Sequence, residues 1–248
     1  MSVEVLARSV DNIRARVQMR RKGLDCITPW FTRALNKTRI VRGANVGDLK
    51  KSWDVLRTLQ FIEQLVSKST PVLDLGAYAS EVLCGLHKMG FSDLTGIDLN
   101  PKLTRMPYNK CIKYVTGDFT HTSFPAETFG VITAISVLEH GFKGPKVFHE
   151  VSRILRPGGY LIGSVDYWPD KIYTTGITVF GLDWTIFSKE ELVNLIEGAG
   201  NYGLTPVGQL NCEASERIFS WFTKEYTFAW FALQKGDVTE RQRKPRIS

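Results

Sequence analysis

From Pro71 onward the chain alternates short apolar runs with helix-length amphipathic segments, and this order limits its fold more than any other feature. Val72–Leu75, Leu94–Leu99, Ile112–Val115, Val131–Val137 and Gly159–Val165 read as strands. Ser80–Met89, Pro145–Leu155 and Ser188–Ala199 read as helices. Parallel strands need a crossover rather than a tight turn, so the alternation predicts an α/β fold with a doubly wound, mostly parallel sheet. Val131–Val137 is almost wholly apolar, as a strand buried on both faces must be. Ser188 followed three residues later by Glu191 predicts a capping box. Tyr226–Gln234, aromatic and alternating, reads as a final strand.

Ahead of the sheet, Val3, Leu6, Val10, Ile13 and Val17 recur at helical spacing, predicting a helix over Val3–Met19 with a basic outer face. Residues 22–46 mix Gly, Pro and Asn with Trp30 and Phe31 and read as irregular. A second helix is predicted from Asp48, its cap, to Val66. The expected organisation is a helical lid or extension over 1–68, a main domain over 69–234 and a basic, disordered tail over 235–248. Charge follows it: residues 1–51 hold 12 Lys+Arg against 4 Asp+Glu, whereas the body is mildly acidic. A basic end can bind nucleic acid, but a solvated end is the reading favoured here. No run approaches the ~18 apolar residues of a membrane span. Met1–Arg21 has no apolar stretch for a signal peptide, so a cytoplasmic protein with no membrane partner is expected. Cys26, Cys84, Cys111 and Cys212 are scattered without a C-x-x-C pair, and no disulfide framework or metal site is expected.

Ligands of such sheets bind beyond the carboxyl ends of the strands. There the chain reads Asp74-Leu75-Gly76-Ala77-Tyr78-Ala79-Ser80, then Asp98, 24 residues after Asp74 and able to accept both hydroxyls of a ribose. Gly117-Asp118-Phe119 follows, then the strand ending Ser136-Val137-Leu138-Glu139-His140, then Arg156-Pro157-Gly158-Gly159. With these four blocks in order over Val72–Val165, the chain resembles the class I S-adenosylmethionine-dependent methyltransferases of the type 11 kind. The resemblance implies a seven-stranded, Rossmann-like sheet with an antiparallel last strand and S-adenosyl-L-methionine as cofactor. It assigns the methionine end of the cofactor to Asp74, Gly76 and Ala77, with Tyr78 and Ser80 in the same loop. It assigns the ribose to Asp98 and Leu99, the adenine to Asp118 and Phe119, and the reacting methyl to Ser136 through His140. The loop departs from the family pattern, which has glycines where Tyr78 and Ser80 stand. The Tyr78 side chain must therefore point away from the cofactor or cover it. A nicotinamide site fits worse, because its G-x-G-x-x-G loop is absent too.

For the methyl acceptor, Tyr167 and Trp168 after the fifth strand and Trp184 further on are the expected substrate-binding residues, an aromatic floor for a sugar or ring. The expected catalytic residues are His140, Asp166 and Glu139, with His140 favoured as base because its ordinary pKa suits neutral pH. The chain is also similar to methyltransferases of surface-glycan or small-metabolite pathways, which implies O-methylation of a small molecule. RNA or protein methylation, and a non-catalytic binding module, are the competing readings. The chain lacks the Asn/Asp-Pro-Pro-Tyr ending of base-nitrogen enzymes, which counts against the first of these.

Overall fold

A computed structural model describes residues 3–38, 43–141 and 144–236. In chain order the elements are β1 (Val3–Val5), α1 (Ser9–Arg21), α2 (Trp30–Lys37), α3 (Ser52–Leu65), β2 (Val72–Leu75), α4 (Val82–Lys88), β3 (Leu94–Asp98), β4 (Lys113–Thr116), β5 (Phe129–Ile135) and α5 (Gly144–Ile154). There follow β6 (Leu155–Tyr167), β7 (Thr178–Val179), β8 (Leu182–Asp183), α6 (Lys189–Gly200), β9 (Leu204–Pro206), β10 (Phe219–Trp221) and β11 (Lys224–Lys235). The main sheet runs β1-β11-β6-β5-β2-β3-β4, with β9 and β10 also paired to β11. β2 through β6 are parallel and β11 returns antiparallel, as expected. β2 is the centre of the winding: β3 and β4 lie on one side of it, β5 and β6 on the other.

Each face of the sheet is covered by helices. Val55, Leu59 and Ile62 of α3, Ala15 and Met19 of α1, and Val82 and Leu86 of α4 bury one face. Val147, Val151 and Ile154 of α5 and Leu192, Leu195 and Ile196 of α6 bury the other. The Ser188–Glu191 capping box opens α6 as the sequence requires. Asp48 caps a 3-10 turn over Leu49–Lys51 that leads into α3, by accepting the Lys50 amide at 3.0 Å. Among the described residues no helix is long and apolar enough to cross a membrane.

The N-terminal expectation needs three corrections. Val3–Val5 is a strand on the outer edge of β11, pairing with Phe231–Ala229, so the helix starts only at Ser9. That helix is also turned over: Val10, Ile13 and Val17 are exposed, whereas Asn12, Ala15, Arg16 and Met19 are buried. The polar groups win because their bonds are made inside. Arg16 grips the Glu81 carboxylate through both Nη atoms at 2.9 and 2.8 Å, and Asn12 bonds Leu49 and Trp53. Finally, residues 30–37 of the expected irregular stretch form α2, and Trp30 and Phe31 face solvent rather than covering a pocket. Lys235 and Gly236 are ordered; the rest of the expected tail lies outside the described residues.

Candidate functional site

The expected site residues collect at the carboxyl ends of β2 to β6. After β2 the backbone turns sharply, with Gly76 at φ +67° and Ala79 at φ +67°. Gly76 has no room for a side chain, since a Cβ would stand 2.7 Å from Val137 Cγ2 across the crevice. Ala79 in the left-handed region costs ~1–2 kcal/mol. Two bonds hold it: its amide reaches Met106 Sδ at 3.2 Å, and its carbonyl accepts the Gly47 amide at 2.8 Å. Tyr78 packs against the cluster of Ala44, Val46, Leu103 and Met106, which resolves how a large residue fits this loop. Ser80 Oγ accepts the Val82 amide at 3.2 Å, in the turn that leads into α4. Ala77 is buried and donates to the Ile97 carbonyl at 3.1 Å.

Two acids face this turn. Asp74 is buried; its Oδ1 accepts the Thr133 hydroxyl at 2.6 Å, while Oδ2 is buried with no partner. Burial pushes its pKa up to about 6, against the pull of Thr133 and Ser80. Asp98 is half-buried at the end of β3. Its Oδ2 accepts the Tyr78 amide at 2.9 Å and its Oδ1 the Asn100 amide at 2.8 Å, so the carboxylate ties the two loops together. Leu99 beside it is exposed. Asp118 is exposed and accepts the Thr120 amide at 2.8 Å, whereas Phe119 packs on the core.

Beyond β5, Ser136 sits at φ +57°, a strained conformation held by amide bonds to Ser164 O at 3.0 Å and Ser164 Oγ at 3.2 Å. Its hydroxyl donates to Glu139, which is wholly buried, with Oε2 unpartnered. Desolvation, then the neighbouring Asp166, push the Glu139 pKa up to about 8, although Lys51 and Ser136 pull it down. His140 Nδ1 is likewise buried without a partner, and desolvation holds its pKa below 6.5. Asp166 at the end of β6 is engaged on both oxygens: Trp184 Nε1 donates to Oδ2 at 2.8 Å, and Lys51 Nζ lies 3.5 Å from Oδ1.

Two of the expected aromatic contacts need correcting. Side chains alternate across a strand, so Asp166 and Tyr167 face opposite sides. Tyr167 is fully buried in the α5–α6 core, its hydroxyl donating to the Cys212 carbonyl at 2.6 Å, and it is withdrawn from the substrate contacts. Trp184 is also buried, packed on Trp221 and Tyr226, and acts as a wall behind Asp166 rather than an open floor. Trp168 stays half-buried, with Arg217 4.6 Å over its ring and Nε1 unpartnered. A separate cavity of about 780 Å³ lies between α5, α6 and β8, lined by Phe148, Leu182 and Tyr202. Of the expected site residues it touches none.

Sequence reasoning missed Lys51, Asp54 and Ser164. Lys51, from just ahead of α3, reaches over the sheet and rests its ammonium 3.4 Å above the Phe228 ring. Asp54, fully buried, accepts the Ser164 hydroxyl at 2.9 Å, and burial raises its pKa to about 6. The signal for Asp54 was there: with Thr58 it places polar groups four apart beside the apolar Val55, Leu59 and Ile62 of the same helix.

Comparison with known proteins agrees with this geometry. The family model described as "Methyltransferase domain" matches residues 73–163, which span β2 into β6 and carry the crevice residues. Sterol 24-C-methyltransferase erg-4 of Neurospora crassa is 29% identical over 102 residues, which are 38% of this chain and 27% of that protein. The matched stretch thus spans about a quarter of the curated relative. The 1,6-didemethyltoxoflavin-N1-methyltransferase of Burkholderia thailandensis, solved with S-adenosylhomocysteine, superposes with a TM-score of 0.55 at 18% identity, over 74% of this chain and 79% of that one. Geranyl diphosphate C-methyltransferase of Streptomyces coelicolor, also holding S-adenosylhomocysteine, superposes with a TM-score of 0.53 at 14% identity, over 72% and 78%. Residues 73–163 thus match a methyltransferase domain, and the chain has the fold of S-adenosylmethionine-dependent methyltransferases, to which it is similar.

Proposed function

We propose that the protein transfers the methyl group of S-adenosyl-L-methionine to a hydroxyl oxygen of a small molecule, a sugar, glycan precursor or related metabolite, with His140 accepting the proton. The crevice residues fit the cofactor. The unpartnered Asp74 Oδ2 suits an ammonium group. Each Asp98 oxygen takes one backbone amide and keeps lone pairs for a pair of ribose hydroxyls. Asp118, Phe119 and Leu99 lie on the adjoining strand ends, at the adenosine side. Bound there, the cofactor supplies a sulfonium-activated methyl, an electrophile that needs alignment more than activation. Alignment of that kind contributes ~7–11 kcal/mol.

The observation that carries the proposal is the pair of buried, unpartnered atoms after β5, Glu139 Oε2 and His140 Nδ1. Because desolvation holds His140 below 6.5, its imidazole is neutral at pH 7 and able to take a proton. The Asp166 charge favours the imidazolium that results. Asp166 itself is engaged on both oxygens, one by Trp184 Nε1 and the other beside Lys51. Glu139, at about 8, keeps its proton at neutral pH and is a donor to an acceptor oxygen. The test is a methyl-transfer screen against sugars, nucleotide sugars and metabolite extracts, run with the wild type and His140→Ala. Methylated hydroxyl products that the variant makes about a hundredfold more slowly support the proposal. Products methylated on nitrogen or carbon, or an unaffected variant, overturn it.

A further inference from the structure

The feature that methyl transfer leaves unexplained is α2, an amphipathic helix mounted the wrong way round. Its polar side faces the protein. Arg33 donates to the carbonyls of Thr28, Val46 and Gly47, and Asn36 donates to Asn45 Oδ1 at 2.7 Å. Its apolar side faces solvent: Trp30 is 82% exposed, Phe31 54% and Leu35 38%, with Ala34 exposed between them. Trp30 and Phe31 meet edge to face, their centroids 6.3 Å apart. Burial drives helix packing, so a helix fixed by its polar face presents its apolar face to something else. The sequence stretch that carries it has charge of one sign. Residues 26–47 contain Arg33, Lys37, Arg39 and Arg42 and not one Asp or Glu. Lys37 is exposed at the end of the helix.

We propose that α2 seats the protein on an anionic lipid surface, with Trp30, Phe31 and Leu35 entering the boundary between headgroups and acyl chains. Tryptophan and phenylalanine beside basic residues are the composition such interfacial helices use. Anionic headgroups complement the acid-free segment. A second copy of the chain fits less well, because a two-fold contact sets the same positive patch against itself. RNA would use the basic residues and stack on the rings but has no use for the continuing apolar strip at Ala34 and Leu35. The sequence reading expected no membrane partner. The contact proposed here is peripheral and consistent with the lack of a spanning helix among the described residues. A bilayer seated on α2 lies near the cofactor turn, since the same segment reaches Ala79 through the Gly47 amide.

The experiment is co-sedimentation of the full chain with vesicles of phosphatidylcholine alone and of phosphatidylcholine with phosphatidylserine. Binding to the anionic vesicles, weakened by salt, is expected. W30A/F31A is expected to lose at least about tenfold in that binding, at an unchanged melting temperature. Lys37→Glu is expected to reduce the preference for phosphatidylserine. Absence of vesicle binding overturns the proposal, as does equal binding by W30A/F31A. It is also overturned if truncation at Gly236 removes the binding while W30A/F31A leaves it intact. Loss of self-association or RNA binding in W30A/F31A, without vesicle binding, assigns the face to that other partner. None of these outcomes depends on methyl transfer.

Discussion

Glu139 offers the clearest handle on the site. Its folded-state pKa, about 8, lies above the ordinary 4.5, so the folded protein retains a proton that the unfolded chain releases. Its contribution to stability is therefore full below about pH 4.5 and lost as pH rises through 8. Glu139→Gln removes the titration while keeping an oxygen for the Ser136 hydroxyl. The melting temperature of Glu139→Gln is expected to exceed that of wild type by a margin that widens from pH 5 to pH 8. A constant margin would show that Glu139 ionises normally in the fold. For His140 the expectation is kinetic: His140→Ala lowers turnover about a hundredfold, leaves cofactor affinity unchanged and erases the limb of the pH–rate profile that falls below pH 6.5. The positions of Asp74, Asp98 and His140 at or beside the strand ends were legible because the strand-end blocks carry them in order. Lys51 and Asp54 were not, because they come from the turn ahead of α3 and from α3 itself, outside those blocks, and meet the site only through packing. Tyr167 was misread because aromatic character says nothing about the face on which a strand residue falls.

At the scale of elements, the N-terminal segment is a fixed part of the molecule. β1 completes the edge of β11, Arg16 reaches Glu81 at the start of α4, and Gly47 bonds Ala79 in the turn after β2. Arg16→Met leaves Glu81 buried without its partner. The loss, read by urea unfolding, is expected to be about 3–5 kcal/mol, and the double variant Arg16→Met/Glu81→Leu should regain most of it. A loss below about 1 kcal/mol would class the pair with surface ion pairs. Deleting residues 1–48 is expected to lower both stability and turnover, because it removes a strand as well as the segment that braces the turn. The helix over Val3–Met19 was misread for a related reason. Periodicity finds the apolar stripe, but two internal hydrogen-bonding groups, Asn12 and Arg16, decided which side went in. α2 was hidden because the Gly, Pro and Asn of the surrounding stretch read as loop, and its exposed rings pack on nothing that spacing reveals.

Across the whole molecule, the parallel sheet was the most legible feature, since burial on both faces forces near-continuous apolar strands and crossovers force helices between them. The small strands β7 to β10 were not, being too short to hold a period. The fold brings the turn after β2, the acid ending β3 and the loop after β5 to a single edge, and the account depends on that edge holding S-adenosyl-L-methionine. Calorimetric titration of the cofactor into wild type and Asp98→Ala tests this most directly. One site per chain is expected, with an affinity about 10- to 150-fold weaker in the variant, the equivalent of ~1.5–3 kcal/mol for hydrogen bonds to a charged group. The variant should still fold, with a melting temperature lowered only by the loss of the two loop bonds to the Tyr78 and Asn100 amides. No heat of binding to the folded wild type, or equal affinity in Asp98→Ala, would contradict it.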